Sequence, residues 1–114
     1  MSDTRGKRTL LMFWAGTCPH CEAIMPEIKL LNMQYQDKVR FIGVSVDQDE
    51  KIWRTALEKN EMIWTNVAEL KGWDGKIIQE YYVYATPTFL LLDQNLRVKA
   101  KPTGLAELKD ALQK

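Results

Sequence analysis

The chain has 114 residues, enough for one compact domain and too few for two. Sixteen basic residues against fifteen acidic ones leave a net charge of +1, so the charge gives no case for nucleic acid or an anionic membrane surface. With 46% hydrophobic residues there is material for a real core, yet no apolar run approaches the roughly 20 residues that a membrane span needs.

Residues 1–8 are polar and lack the apolar stretch of a secretion signal. We expect them to be disordered, with a single domain over residues 9–114. The chain is then either cytoplasmic or a mature or excised domain. Thr9 to Trp14 is a solidly apolar strand, as expected at the centre of a mixed sheet. Directly after it, both cysteines and the only histidine lie within Cys18-Pro19-His20-Cys21. Two thiols at this spacing can close a disulfide within one helical turn. One such pair is no disulfide scaffold, so stability must come from the core. The helix that follows, to about Tyr35, is expected to bury Ile24, Ile28, Leu31 and Tyr35 and to kink at Pro26.

Val39 to Val46 is rich in β-branched residues and predicts a second strand. Asp47, with Glu50 three residues on, looks like the cap of a second helix running to about Glu58, with Ile52, Trp53, Ala56 and Leu57 inward. Met62 to Ala68 is ambiguous between loop and a short extended piece. Trp73 to Tyr82 predicts a third helix with Trp73, Ile77, Ile78 and Tyr81 on one side. From Tyr81, Tyr82 and Tyr84 at least one ring is expected at the surface. Thr88 to Leu92 is a third strand and Leu96 to Lys101 a fourth. They form a hairpin through Asp93-Gln94-Asn95, where Asn95 tolerates a left-handed backbone. Thr103 to Gln113 closes the chain as a helix with Leu105, Leu108 and Leu112 inward. The order β-α-β-α-α-β-β-α implies parallel pairing early and antiparallel pairing late.

A CxxC at a strand-to-helix junction is a redox signal, far stronger than a CxxC alone. Around it stand Phe13-Trp14-Ala15-Gly16-Thr17 and Pro26. Further along come Ile42-Gly43-Val44-Ser45-Val46-Asp47, Trp53, Trp64, Leu70-Lys71-Gly72-Trp73 and Ala85-Thr86-Pro87-Thr88-Phe89. In these residues the chain resembles the TlpA/ResA-type thiol–disulfide oxidoreductase domains of the bacterial cell envelope. The likeness covers almost everything from about Thr9. It implies an α/β thioredoxin fold: a central mixed sheet flanked by helices, with a helical insert before the strand that follows Pro87. It implies a cis Thr86–Pro87 bond facing the CxxC and a place in the bacterial cell envelope, the periplasm.

The resemblance has three departures. Met12 stands where thioredoxin has a buried aspartate, and Ile24 where ResA-like proteins have a buried glutamate. The family's additional strand before the first one here has little sequence to form it, which would leave a sheet edge bare or mark the chain as a fragment.

The thiolate is the reactive form of cysteine, whose ordinary pKa is about 8.5. Cys18, in the first turn of the helix, has unpaired N–H groups and the helix dipole to favour negative charge. We expect Cys18 to be the nucleophile, His20 to assist it, and Cys21, less exposed, to resolve the mixed disulfide. Without an acid at position 12 or 24, the second step should be slow near neutral pH. Trp14 and Pro19 are expected to meet substrate beside the sulfurs, and the backbone at Thr86-Pro87 to pair with an extended segment. The expected substrates are protein thiols and disulfides, with a redox partner protein as electron donor or acceptor. We expect no cofactor, no nucleic acid and a monomer.

Several rivals are weaker. One CxxC and one histidine give at most three zinc ligands, where a structural site wants four. Covalent haem needs histidine where Glu22 stands. The PxxxTxxC of a peroxiredoxin-type peroxidase is absent from Leu11 to Cys18. The alternative that stays open is a non-catalytic interaction module on the same fold.

Overall fold

The protein is described by a computed structural model covering residues 7–114. Of the N-terminal segment expected to be disordered, residues 1–6 lie outside the described residues. Arg8 already belongs to the first strand.

The chain order is β1 (Arg8–Trp14), α1 (Pro19–Tyr35), β2 (Val39–Ser45), α2 (Glu50–Lys59) and β3 (Thr65–Ala68). A 3₁₀ turn over Gly72–Asp74 leads to α3 (Lys76–Glu80), β4 (Thr88–Leu92), β5 (Val98–Ala100) and α4 (Leu105–Gln113). One five-stranded sheet results, in the order β3-β2-β1-β4-β5. β1, β2 and β3 run parallel, and β4 and β5 complete the sheet antiparallel. This is the thioredoxin fold that the resemblance implies.

Successive strand side chains point to opposite faces, and the central strands obey this strictly. Leu10, Met12 and Trp14 of β1, with Phe89 and Leu91 of β4, face the cluster shared with Met25 and Ile28 of α1 and Leu108 and Leu112 of α4. Leu11 and Phe13, with Leu90 and Leu92, face the other side, where Ile78 of α3 and Val83 pack. Both faces of β1 are therefore covered, which is why its sequence shows no polar alternation. The parallel register pairs Trp14 with Ser45, so β1 and β2 end together and their following loops lie side by side. At the opposite end, the Arg8 guanidinium donates to the carbonyls of Ala111 and Leu112 at 3.3 and 2.9 Å. It thus adds a donor at the last turn of α4, where the Ala111 carbonyl also accepts from the Lys114 amide at 3.3 Å.

Several expectations shift. α1 buries Cys21, Met25, Ile28, Leu31 and Asn32, while Ile24 and Tyr35 are only half-buried. The stripe starts at the second cysteine instead of at Ile24, because Cys21 itself is a core residue. The cap of α2 is Asp49, whose Oδ1 accepts from the amides of Lys51 and Ile52 at 2.8 and 3.2 Å. Asp47 is two residues too early for that task. In α2, Ala56 is buried and Trp53 and Leu57 pack half-buried against the core as expected, whereas Ile52 is exposed. The ambiguous stretch contains β3, paired in parallel with β2 as an edge strand. The expected third helix divides into the 3₁₀ turn and α3. Gly72 takes a left-handed φ of +58° there, a conformation that suits glycine. Trp73 consequently stays outside the core. Glu69 caps α3 from a distance, accepting from the amides of Lys76 and Ile77, each at 2.9 Å. In the β4–β5 turn the left-handed residue is Leu96, at φ 65°, not Asn95.

Candidate active site

The site forms where β1 and β2 end and α1 begins. Cys18 is the residue before the first helical turn, with extended backbone at φ −94° and ψ 105°. Its Sγ accepts from the Cys21 amide at 3.1 Å, and its carbonyl accepts from Glu22 at 3.1 Å. Pro19 follows as the first helical residue, where a missing N–H costs nothing. Cys18 and Cys21 form a disulfide, with Cα atoms 5.3 Å apart. Their surroundings differ. Cys18 is half-buried at the surface, whereas Cys21 is fully buried in the larger core cluster.

The Thr86–Pro87 peptide bond is cis, and the Thr86 carbonyl oxygen lies 3.8 Å from Cys18 Sγ. In the disulfide form that sulfur has no proton to donate, so this is a contact. The expected proximity of Thr86-Pro87 to the CxxC is present. His20 is exposed and lines a cavity of about 230 Å³ with Ile24, Thr86, Pro87 and Phe89. On the other side of Cys18 lies a larger cavity of about 620 Å³, walled by Pro19, Asp47, Asp49, Ile52, Trp73 and Thr86 among others. The CxxC thus separates two concavities, and Thr86 borders both.

Trp14 is not a surface for substrate. It is 1% exposed and belongs to the core, because it ends a strand that is covered on both faces. The tryptophan that does line the larger cavity is Trp73, 46% exposed, which helical periodicity places in the packing of a third helix. Trp73 is held outward by the 3₁₀ turn, which helical periodicity does not anticipate.

Asp47 was also missed as a site residue. Both carboxylate oxygens accept from the Gly16 amide at 3.0 Å, and Oδ2 accepts from the Ser45 hydroxyl at 2.6 Å. The Ser45 hydroxyl in turn accepts from the Asp47 amide at 2.9 Å. Gly16 packs so closely on α2 that a Cβ would lie 2.9 Å from Ile52 Cγ2 and 3.1 Å from its carbonyl oxygen. The loop before Cys18 is therefore gripped by a carboxylate on one side and by the first turn of α2 on the other. One signal was available: Asp47 follows a buried strand at its carboxyl end, where open α/β sheets place their sites.

Met12 and Ile24 leave no carboxylate at their positions, and Met12 is 2% exposed. Among the described residues, no group of three or more His, Cys, Asp or Glu side chains could hold a metal ion. Also among them, no helix is long and apolar enough to cross a membrane.

Comparison with known proteins places this geometry. Residues 6–98 match the family model described as thioredoxin-like. The thioredoxin-like protein YneN of Bacillus subtilis is 29% identical over 117 residues, covering 100% of this chain and 66% of that protein. The thiol-disulfide oxidoreductase ResA of Oceanobacillus iheyensis is 40% identical over 109 residues, covering 95% of this chain and 55% of that protein. The chain thus spans under two thirds of the length of these curated relatives. A solved thiol-disulfide oxidoreductase from Bacteroides fragilis superposes with a TM-score of 0.89 at 27% identity, covering 99% of this chain and 84% of that one.

Proposed function

We propose that this chain, which belongs to the thioredoxin-like family, is a thiol–disulfide oxidoreductase domain acting on protein substrates through Cys18 and Cys21. One observation carries the reading: two linked sulfurs at a helix start, one reachable and one buried, with the Thr86 carbonyl beside the reachable one. Named thiol-disulfide oxidoreductases among the relatives support it.

In the reductive direction, the Cys18 thiolate attacks a substrate disulfide. A Cys18–substrate bond forms, the substrate S–S bond breaks, and the leaving thiolate takes a proton from solvent. Cys21 then loses its proton and attacks Cys18 Sγ. The second substrate thiol leaves, and the domain holds the Cys18–Cys21 disulfide. A redox partner protein returns two electrons and two protons. The reverse sequence oxidises a substrate dithiol.

The helix start lowers the cost of the Cys18 thiolate. His20, at the rim of the smaller cavity, offers a donor toward an approaching substrate. Pro19, Thr86 and Pro87 flank the reactive sulfur. The Thr86 backbone, beside the reactive sulfur, suits pairing with an extended substrate segment. Cys21 has no buried acid to take its proton, so resolution should accelerate as pH rises; a rate constant flat between about pH 6 and 9 would refute this. The domain acts as a monomer in the bacterial cell envelope. Trapping of its thiols by an impermeant alkylating reagent on intact cells checks the compartment.

Insulin reduction with dithiothreitol tests the function itself. The parent should accelerate precipitation of the insulin chains, and Cys18→Ser should fall to the uncatalysed rate. Equal acceleration by both proteins would favour an interaction module with structural cysteines.

A further inference from the structure

Asp47 is the only Asp or Glu among the described residues that is buried, at 6% exposure. Carboxylates are rarely buried without a task, because desolvation costs more than ordinary partners return. This one borders the same cavity as Cys18. Every side-chain contact it makes is as an acceptor, two from Gly16 and one from Ser45. That is the contact pattern of an ionised carboxylate.

We propose that Asp47 is a positioning residue for Cys18 and an electrostatic brake on its thiolate. This inference rests on the redox reading above and deepens it. The clamp on Gly16, two residues before Cys18, fixes how the reactive loop leaves β1. The same negative charge disfavours a second negative charge forming at the cavity's edge.

Other charges around Cys18 do not cancel it. On α1, Glu22 is paired with Lys59 of α2 at 2.7 Å, and His20 lies on the opposite cavity. From the β2–α2 loop comes Asp49, whose Oδ1 is taken up by the cap of α2. The segment carrying Thr86 and the turn carrying Trp73 bring no charged side chain to either cavity. Asp47 thus opposes the helix start. A destabilised thiolate destabilises the dithiol form relative to the disulfide, which shifts the couple toward the reducing side.

Asp47→Asn keeps an oxygen acceptor for Gly16 and removes the charge. It should move the Cys18 titration to lower pH, followed by thiolate absorbance. It should also favour the dithiol about tenfold in a glutathione redox buffer, which is about 30 mV upward for two electrons. A shift in the opposite direction, or none in either quantity, overturns the proposal. A second measurement needs no variant. In the reduced parent, the Asp47 carboxyl carbon should show an NMR inflection at the Cys18 titration midpoint, absent from the oxidised protein. If that inflection is missing, the two groups are not coupled and the proposal fails. Insulin reduction by the parent separates the two levels. Activity without any Asp47 effect sinks this inference alone, while no activity that depends on Cys18 sinks the reading beneath it.

Discussion

On one face of the sheet α1, α2 and α4 close over fifteen buried side chains among the described residues; on the other, α3 and its flanking turns cover eight. The fuller face includes Cys21 and backs the helix that presents Cys18. The thinner face is bordered by Trp73, Tyr82 and Tyr84, exposed by 46, 74 and 82%. Packing is thus deepest behind the redox-active pair. The reactive sulfur sits on the layer with the deeper core, whereas the stretch between β3 and β4 is held by a short helix, one glutamate cap and a left-handed glycine.

Truncations on the two faces should therefore differ. Ile28→Ala removes a fully buried side chain from the fuller cluster and should cost about 4 kcal/mol. Ile78→Ala, on the thinner face, should cost about 2 kcal/mol, because half-buried Ile77 and Tyr81 can close in. Urea unfolding of both variants decides it, and equal losses would remove the contrast. The anchors of the two faces come next. Arg8→Ala removes two hydrogen bonds to the end of α4, from Ala111 and Leu112, and should cost about 1.5 kcal/mol. Glu69→Ala uncaps α3 and should cost about 1 kcal/mol, with hydrogen exchange rising in α3 and not in α1. Exchange spreading into α1 would show one cooperative unit where two are expected.

The smallest effect belongs to Asp93, in the β4–β5 turn outside both layers. The Arg97 amide, helped by that of Asn95, holds its carboxyl below the usual carboxylate range. A lowered folded-state value contributes stability above the unfolded value, near 3.9, and loses it as pH falls through the folded one. The deficit of Asp93→Asn against the parent should be small at neutral pH and fade below about pH 4. A deficit constant from about pH 2 to 6 would contradict the sign.

Much of this was legible in the residues. β1 and β4 announce themselves as apolar runs, and the CxxC between strand and helix marks the chemistry. What stayed hidden depends on contacts distant in sequence. Asp47 reads locally as a helix cap because Asp49 and Glu50 follow it, and only the β1–β2 register brings Gly16 within its reach. Trp14 reads as a candidate platform from its closeness to Cys18, yet strand alternation turns it into the core. Trp73 reads as a helix-packing residue until the positive φ at Gly72 turns the chain. β3 is short, half-exposed and made of ordinary residues, so its pairing partner defines it more than its composition does.

The Arg8 link has one more consequence. β1 travels from Arg8 to Trp14, about 20 Å at 3.3 Å per residue, before the chain reaches Cys18. The beginning of that strand and the close of α4 are fastened together at the far pole. A segment joined before Arg8 or after Gln113 would thus leave from a corner remote from the sulfurs, and the two cavities beside them would stay open.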